Sequence, residues 1–292
     1  MEVRRHRIAA IWHKSTSNVS TNRIISPRFI ALHYTTGWNG QGSLNWLLGR
    51  AGGTGNAQSS AHVVIDRDGS AWQICPFNRR AWHAGPSRYG DVSDLNSHAI
   101  GIEFVNPGWL KPDGRGGWID GFGTRRSPQQ LEEFGGFIEA RHPRVGGEIY
   151  AWPLFPEVQI QRGLEICEAL IAYYPIRAMV THEEIDTRGW KTDPGPAFPL
   201  GAFQSLVEDF GRDAQSPIYR VNATRLNLRG GPGIDYERID PPGCLPQGTL
   251  VQIQRSQSDW AYVEVIGVPV DMPGLEVGVL GWAHAGYLTQ EW

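Results

Sequence analysis

The chain has 292 residues, 40% hydrophobic and 20% charged, which suits one medium globular domain followed by a small one. A net charge of −3 with no basic run removes the electrostatic footprint of a nucleic-acid binder, and no stretch reaches the ~18 continuous apolar residues of a membrane span. Three scattered cysteines (Cys75, Cys167, Cys244) supply neither a disulfide framework nor a paired-cysteine zinc site.

Residues 1–14 carry Arg4, Arg5 and Arg7 ahead of a short apolar run from Ile8 to Trp12. That run is too brief for a secretory core, so the expectation is synthesis in the cytoplasm without a signal peptide. Residues 29–35 read as a buried strand between Pro27 and Gly37. Residues 38–60 are rich in Gly, Ser and Asn, with a short helical piece at 44–48. Residues 61–65 and 70–74 flank Asp66-Arg67-Asp68-Gly69, a hairpin signal. Residues 98–105 form another apolar strand, and 107–126 read as loop, dense in Gly, Pro and Trp.

Ser127, Pro128 and Gln130 mark a helix start: an N-cap, a proline at the first helical position and a capping-box partner. In residues 156–173 the stripe Ile160, Leu164, Cys167, Ile171 predicts an amphipathic helix. Residues 176–180 read as a strand, followed at once by Thr181 and His182. This order predicts an α/β domain over residues 1–211, with a mixed central sheet flanked by helices. Residues 211–217 resemble a linker. Short runs at 224–229, 249–254, 260–266 and 279–284, separated by Gly/Pro turns, predict a small all-β barrel over 217–292. The 12 tryptophans suit carbohydrate stacking or core packing.

Candidate chemistry gathers at strand ends, where a rigid scaffold presents side chains to a cleft. His33 ends one apolar strand, His182 follows another, and Asp193 comes in Lys191-Thr192-Asp193-Pro194-Gly195-Pro196. Two imidazoles and a carboxylate are three protein ligands for zinc, with the fourth position left for water, whose acidity the ion raises. Glu103, among apolar neighbours, could relay the proton of an attacking water to a leaving nitrogen. Lys191, two residues before Asp193, projects to the same side in extended chain and could stabilise an oxyanion. Each residue alone also fits a plain structural or solvated role.

A rival reading takes His182-Glu183-Glu184-Ile185-Asp186, which resembles the H-E-x-x-H helix of zinc proteases with Asp in place of the second His. It is set aside because that motif needs a helix, whereas a β-rich run precedes it and Thr187-Arg188-Gly189 follows.

Six motifs in order carry a resemblance over residues 25–205. They are His33-Tyr34-Thr35-Thr36-Gly37, Ser60-Ala61-His62-Val63-Val64-Ile65, Ala81-Trp82-His83-Ala84-Gly85, Ile100-Gly101-Ile102-Glu103, Thr181-His182-Glu183 and Lys191 to Pro196. This set resembles the type-2 N-acetylmuramoyl-L-alanine amidases, a family that includes phage lysins, wall-recycling amidases and peptidoglycan recognition proteins. The resemblance implies one Zn2+ on His33, His182 and Asp193, with Glu103 as acid/base and Lys191 as oxyanion stabiliser. It also implies a peptidoglycan groove with Tyr34, Trp82, His83 and Asn106 as substrate contacts, and cleavage between muramic acid and L-alanine. His62 and His83 are alternative ligands that the family pattern puts beside the site. Residues 107–150 look longer than the core pattern, with Trp109, Trp118 and Trp152 around the extra helix, and would extend the groove or cover it.

The C-terminal segment resembles a bacterial SH3-type barrel in Leu226-Asn227-Leu228-Arg229-Gly230-Gly231-Pro232-Gly233, Leu245-Pro246-Gln247-Gly248-Thr249, Asp259-Trp260-Ala261 and Gly281-Trp282-Ala283. That implies a wall tether, with Tyr236, Trp260 and Tyr287 as candidate contacts, or else a structural appendage. Three functions follow: an amidase, a non-catalytic peptidoglycan receptor, and a zinc endopeptidase acting on wall peptides. The amidase would act on the wall after release or injection, as a phage lysin or a toxin, or would serve recycling.

Overall fold

The computed structural model describes residues 1–16, 19–49, 59–211, 218–269 and 274–291. Residues 212–217 of the expected linker and 50–58 of the Gly-rich stretch lie outside them. The chain divides into two compact units, Met1–Asp209 and Phe210–Trp292. The boundary falls near the end of a helix, slightly earlier than composition suggests.

The first unit is organised by a six-stranded mixed sheet, and helix α1 (Gly40–Leu47), which begins earlier than the helical piece expected at 44–48, follows its strand Phe29–Tyr34. The spatial order of the sheet is Ala178–Thr181, Phe29–Tyr34, Ala99–Phe104, Val63–Ile65, Ala71–Gln73, Trp12–His13. The first four strands run parallel to their neighbours, and Val63–Ile65 pairs antiparallel with Ala71–Gln73 as the predicted hairpin. Every residue of Phe29–Tyr34 is buried. A parallel strand covered on both faces reads as a continuous apolar run, which is why this element is legible in sequence.

Successive residues alternate between the faces. Ile30, Leu32, Ile100, Ile102 and Phe104 pack with Ile166 and Leu170 of helix α3 (Glu157–Ile171) and with Phe203 of helix α5 (Leu200–Gly211). The other face carries Phe29, Ala31, Ala99 and Val180. His33 and Glu103 belong by alternation to this second face. The stripe predicted for α3 is present, but its buried edge is displaced: Ile160 and Leu164 are only partly buried, while Gln159 is fully enclosed and Gly163 is buried. Gln159 Nε2 donates to the carbonyls of Ile65 (3.0 Å), the last residue of its strand, and Val105 (3.1 Å), just past the end of the next. A polar side chain with backbone partners tolerates burial that composition alone would deny it.

Residues 107–126 are not simply loop. Lys111–Pro112, Trp118–Ile119 and Arg125–Arg126 form a small antiparallel sheet. Helix α2 (Pro128–Glu133) begins at Ser127 with the complete capping box. A hairpin that sequence reading missed, Phe137–Arg141 with Ile149–Pro153, follows it. Its strands alternate poorly because Trp152 and Tyr150 are buried against the rest of the domain while Ile138 and Ile149 are exposed. No helix among the described residues is long and apolar enough to cross a membrane.

The second unit is a five-stranded antiparallel sheet, in the order Leu280–His284, Trp260–Gly267, Leu250–Gln257, Ile218–Val221, Leu288–Gln290, with a separate pair Arg225–Asn227 and Cys244–Pro246. Val221, Leu226, Leu245, Val251, Val263 and Ala283 form its core. The short strands at Ile218–Val221, Cys244–Pro246 and Leu288–Gln290 lie outside the predicted runs.

Candidate metal centre and active site

Three adjacent parallel strands deliver the central residues. Register pairs Glu103 with His33 and Thr181 with Leu32, so the carboxyl ends of these strands bring Glu103, His33 and His182 to one row. This is where open α/β sheets place their ligands. The His33 and His182 rings stand edge to face with centroids 4.5 Å apart.

His182 opens a one-turn helix, α4 (His182–Ile185), whose start is fixed by Thr181. The Thr181 hydroxyl accepts from the Glu184 N–H at 3.0 Å, and the Glu184 carboxylate returns the contact to Thr181 N–H. Residues 182–185 are thus helical after all. The protease-like reading still fails, because Asp186 is fully committed. Its Oδ1 accepts from Arg188 Nε (2.9 Å) and its Oδ2 from the N–H groups of Trp190 (3.0 Å) and Lys191 (3.1 Å). Sequence reading missed this role: Asp186 shapes the loop that carries Lys191.

Asp193 completes the cluster. Its Oδ2 lies 3.1 Å from His33 Nδ1 and 2.9 Å from His182 Nδ1. One donor atom from each of His33, His182 and Asp193 falls within 4.8 Å of the others, and all three residues are buried. Burial would raise the Asp193 carboxyl, but the neighbouring His182 holds it well below the usual carboxylate range. Burial and the neighbouring His182 lower His33 to about 4. It is therefore a neutral imidazole, the form that binds metals.

Hydrogen bonding fixes its tautomer. The Ala99 carbonyl can only accept, so His83 donates to it from Nε2 (3.3 Å) and leaves Nδ1 as an acceptor. His33 Nε2, 3.1 Å from His83 Nδ1, is then the donor. His33 Nδ1 consequently turns a lone pair toward the Asp193 carboxylate. Two electron-rich atoms at that separation repel unless a cation lies between them. This donor set, two imidazoles and one carboxylate, fits a divalent metal such as zinc. His83 was expected as a substrate contact; it lines the cleft, but its nitrogens serve to orient His33. It packs directly over Gly101, where a Cβ would stand 2.4 Å from the imidazole ring.

His62 is not an alternative ligand. Gly101 N–H donates to its Nδ1 at 3.0 Å, and its Nε2 donates to the Arg79 carbonyl at 2.9 Å. Asn106 was expected in the groove and is a correction. It is 1% exposed, its amide donates to the Pro153 carbonyl, and its Oδ1 accepts from Gly108 N–H. Both ends of the side chain are used to hold the turn after the central strand.

The cleft over this cluster has a volume of about 340 Å³ and includes Tyr34, Trp82, His83, Glu103, Lys191 and Asp193 in its lining. Tyr34 shares a 2.6 Å hydrogen bond with Thr192, which steadies the loop before Asp193. Glu103 is half-buried, but its Oε2 is enclosed and lacks a hydrogen-bond partner among the described residues. Burial and the charge of Asp193 push its carboxyl up to about 8, with Lys191 acting in the opposite sense. Trp46, Trp109 and Trp190 also line the cleft; sequence reading had given Trp46 and Trp190 no role there, and had put Trp109 in the segment expected to extend or cover the groove.

The extra segment braces the site. Trp152 lies against Gly195, where a Cβ would sit 2.5 Å from the indole and φ is +75°. Arg144 donates to the Lys191 carbonyl at 3.0 Å, and His142 contacts Glu183 at 2.9 Å.

A sequence profile described as N-acetylmuramoyl-L-alanine amidase matches residues 22–196. The chain is 32% identical over 150 residues to 1,6-anhydro-N-acetylmuramyl-L-alanine amidase AmpD of Salmonella typhimurium, across 51% of this chain and 57% of that protein. It is 31% identical over 153 residues to N-acetylmuramoyl-L-alanine amidase AmiD of Escherichia coli, across 52% of this chain and 41% of the relative. The chain thus spans about half the length of these relatives. The crystal structure of a selenomethionine derivative of AmpD superposes with a TM-score of 0.50 at 22% identity, covering 71% of this chain and 99% of the other, a likeness of fold.

Proposed function

The chain belongs to the N-acetylmuramoyl-L-alanine amidase family, and from that membership and the geometry of its cleft we propose that it hydrolyses the amide bond between N-acetylmuramic acid and L-alanine in peptidoglycan. The observation that carries this reading is the convergence of His33, His182 and Asp193 beside a half-buried carboxylate, Glu103, and a lysine, Lys191. The same five residues together disfavour a receptor that only binds.

His33, His182 and Asp193 would hold a zinc ion, which when bound supplies Lewis acidity for the carbonyl and for water. Glu103 takes a proton from the attacking water and passes it to the departing amide nitrogen. A carboxyl near 8 is matched to moving a proton both ways around neutral pH. The Lys191 ammonium faces the negative charge that develops on the carbonyl oxygen. His83 keeps the His33 lone pair directed into the site, and Trp82 flanks the entering substrate.

We assign the C-terminal unit to an SH3-like barrel that tethers the enzyme to the wall, and the action of the enzyme to the wall after release or injection. A weak second contact raises the effective concentration of the catalytic unit at an insoluble polymer.

The test is mass spectrometry of products released from purified sacculi by the full-length protein. Intact stem peptides with a free L-alanine amino group are expected. Fragments split within the peptides would mark an endopeptidase, and no release from zinc-loaded protein would mark a receptor.

A further inference from the structure

A second cavity, of about 400 Å³, adjoins the catalytic cleft. The two share Thr35, Thr36, Ser43 and Trp46 in their linings. The outer cavity adds Trp38 and Phe122, the latter 71% exposed and contributed by the extra segment.

Phe122 is exposed but its backbone is held in place. Asp120, 5% exposed, accepts through Oδ1 from the N–H groups of Phe122 (3.0 Å) and Thr124 (2.9 Å). Its Oδ2 accepts from Trp38 Nε1 at 2.9 Å. One carboxylate thereby ties the turn bearing Phe122 to the loop that leaves the His33 strand. The Arg126 guanidinium sits 4.3 Å over the Trp38 ring, and Phe134 meets it edge-on at 4.7 Å. In the shared wall Thr36 adopts φ +56°, a left-handed conformation that a β-branched residue rarely takes and that concentrates at ligand sites.

We propose that this cavity binds a neutral sugar ring of the glycan strand, adjacent to the sugar that bears the scissile amide. The assignment rests on the amidase reading. Among the described residues no charged side chain lines the cavity. The lining instead combines aromatic faces, Trp46 and Phe122, with the Thr36 hydroxyl and the Asn39 amide. Sugar rings present C–H faces to aromatic side chains and hydroxyls to polar ones. A stem peptide brings at least one carboxylate, and the guanidinium beside the cavity, Arg126, is already stacked on Trp38 and paired with Asp120. The shared wall lets a ligand in the cleft continue into the cavity.

The test compares wild type with Phe122→Ala in the zinc-loaded full-length protein, on two soluble substrates with one stem peptide. One carries the peptide on a single N-acetylmuramic acid, the other on a tetrasaccharide of alternating N-acetylglucosamine and N-acetylmuramic acid. Wild type should favour the tetrasaccharide in kcat/KM. Phe122→Ala should lower that preference by roughly three- to tenfold, the worth of one aromatic contact, and leave the single-sugar substrate unchanged. Phe122→Trp should restore it. A second arm measures binding of the peptide-free tetrasaccharide to the metal-free protein by calorimetry. Any contribution of the C-terminal unit is common to both proteins and cancels. Equal preference and equal binding in wild type and Phe122→Ala would overturn the cavity assignment while leaving the amidase intact. If neither substrate is cut, the amidase reading fails, and the binding arm alone decides the cavity.

Discussion

Glu103 is the direct cross-strand partner of His33, so the two side chains leave the sheet on the same face at the carboxyl ends of parallel strands. A carboxyl raised to about 8 beside the His33, His182 and Asp193 cluster would suit proton transfer. Glu103→Gln should lower kcat by about 10²–10⁴. The melting temperature should hold or rise, because the amide replaces a buried carboxylate oxygen that has no partner among the described residues. Turnover on purified walls and a thermal melt read both; activity within about tenfold of wild type would remove Glu103 from the chemistry.

His182→Ala takes away one of three donors, and Asp193→Ala takes away the carboxylate that faces both imidazoles. Either variant should copurify without zinc by elemental analysis and show no turnover. In wild type, chelation should lower the melting temperature, since an ion bound only by the native state stabilises it. Turnover by chelated His182→Ala protein would end the metal proposal.

His62 is buried as the neutral Nε2–H tautomer, and burial lowers it to about 4 from an ordinary 6.5. The unfolded chain therefore binds a proton at higher pH than the native one. The contribution of His62 is intact above pH 6.5 and is lost as pH falls from there through about 4. The full loss is on the order of 3 kcal/mol. Urea unfolding across that window should follow it, alongside the His62 ring signals by NMR. A ring that titrates near its ordinary value in the native protein would contradict this account.

Gly163→Ala should destabilise the first unit although alanine favours helix. A Cβ there would stand 2.6 Å from the Phe104 ring and 3.1 Å from Phe203, both fully buried. The overpacking cost exceeds the gain in helix propensity, for a net loss of roughly 1–2 kcal/mol. Chemical denaturation measures it; a more stable variant would show that the helix has room to move.

Arg144→Ala should reduce kcat by about tenfold without loss of zinc, because it releases the carbonyl of Lys191 and with it the placement of the ammonium. Zinc analysis beside steady-state kinetics separates this from a collapse of the centre, in which metal and activity would fall together.

Local pattern determined much of this protein. The apolar run ending at His33, the Asp-Gly hairpin, the Ser127 cap and the α3 stripe are encoded in neighbouring residues, as is the resemblance that named the five central side chains. The partners of those residues are not. Ligands on separate strands have no fixed spacing, so strand order and register alone put Glu103 beside His33 and His182 level with both. Likewise only the folded chain commits Asn106, Asp186 and His62 to backbone groups, encloses Gln159, and turns a Gly/Trp-rich stretch into strands that fix Phe122. A side chain's period is set by its neighbours in sequence, but its burial, tautomer and partners are set by whatever the fold packs against it.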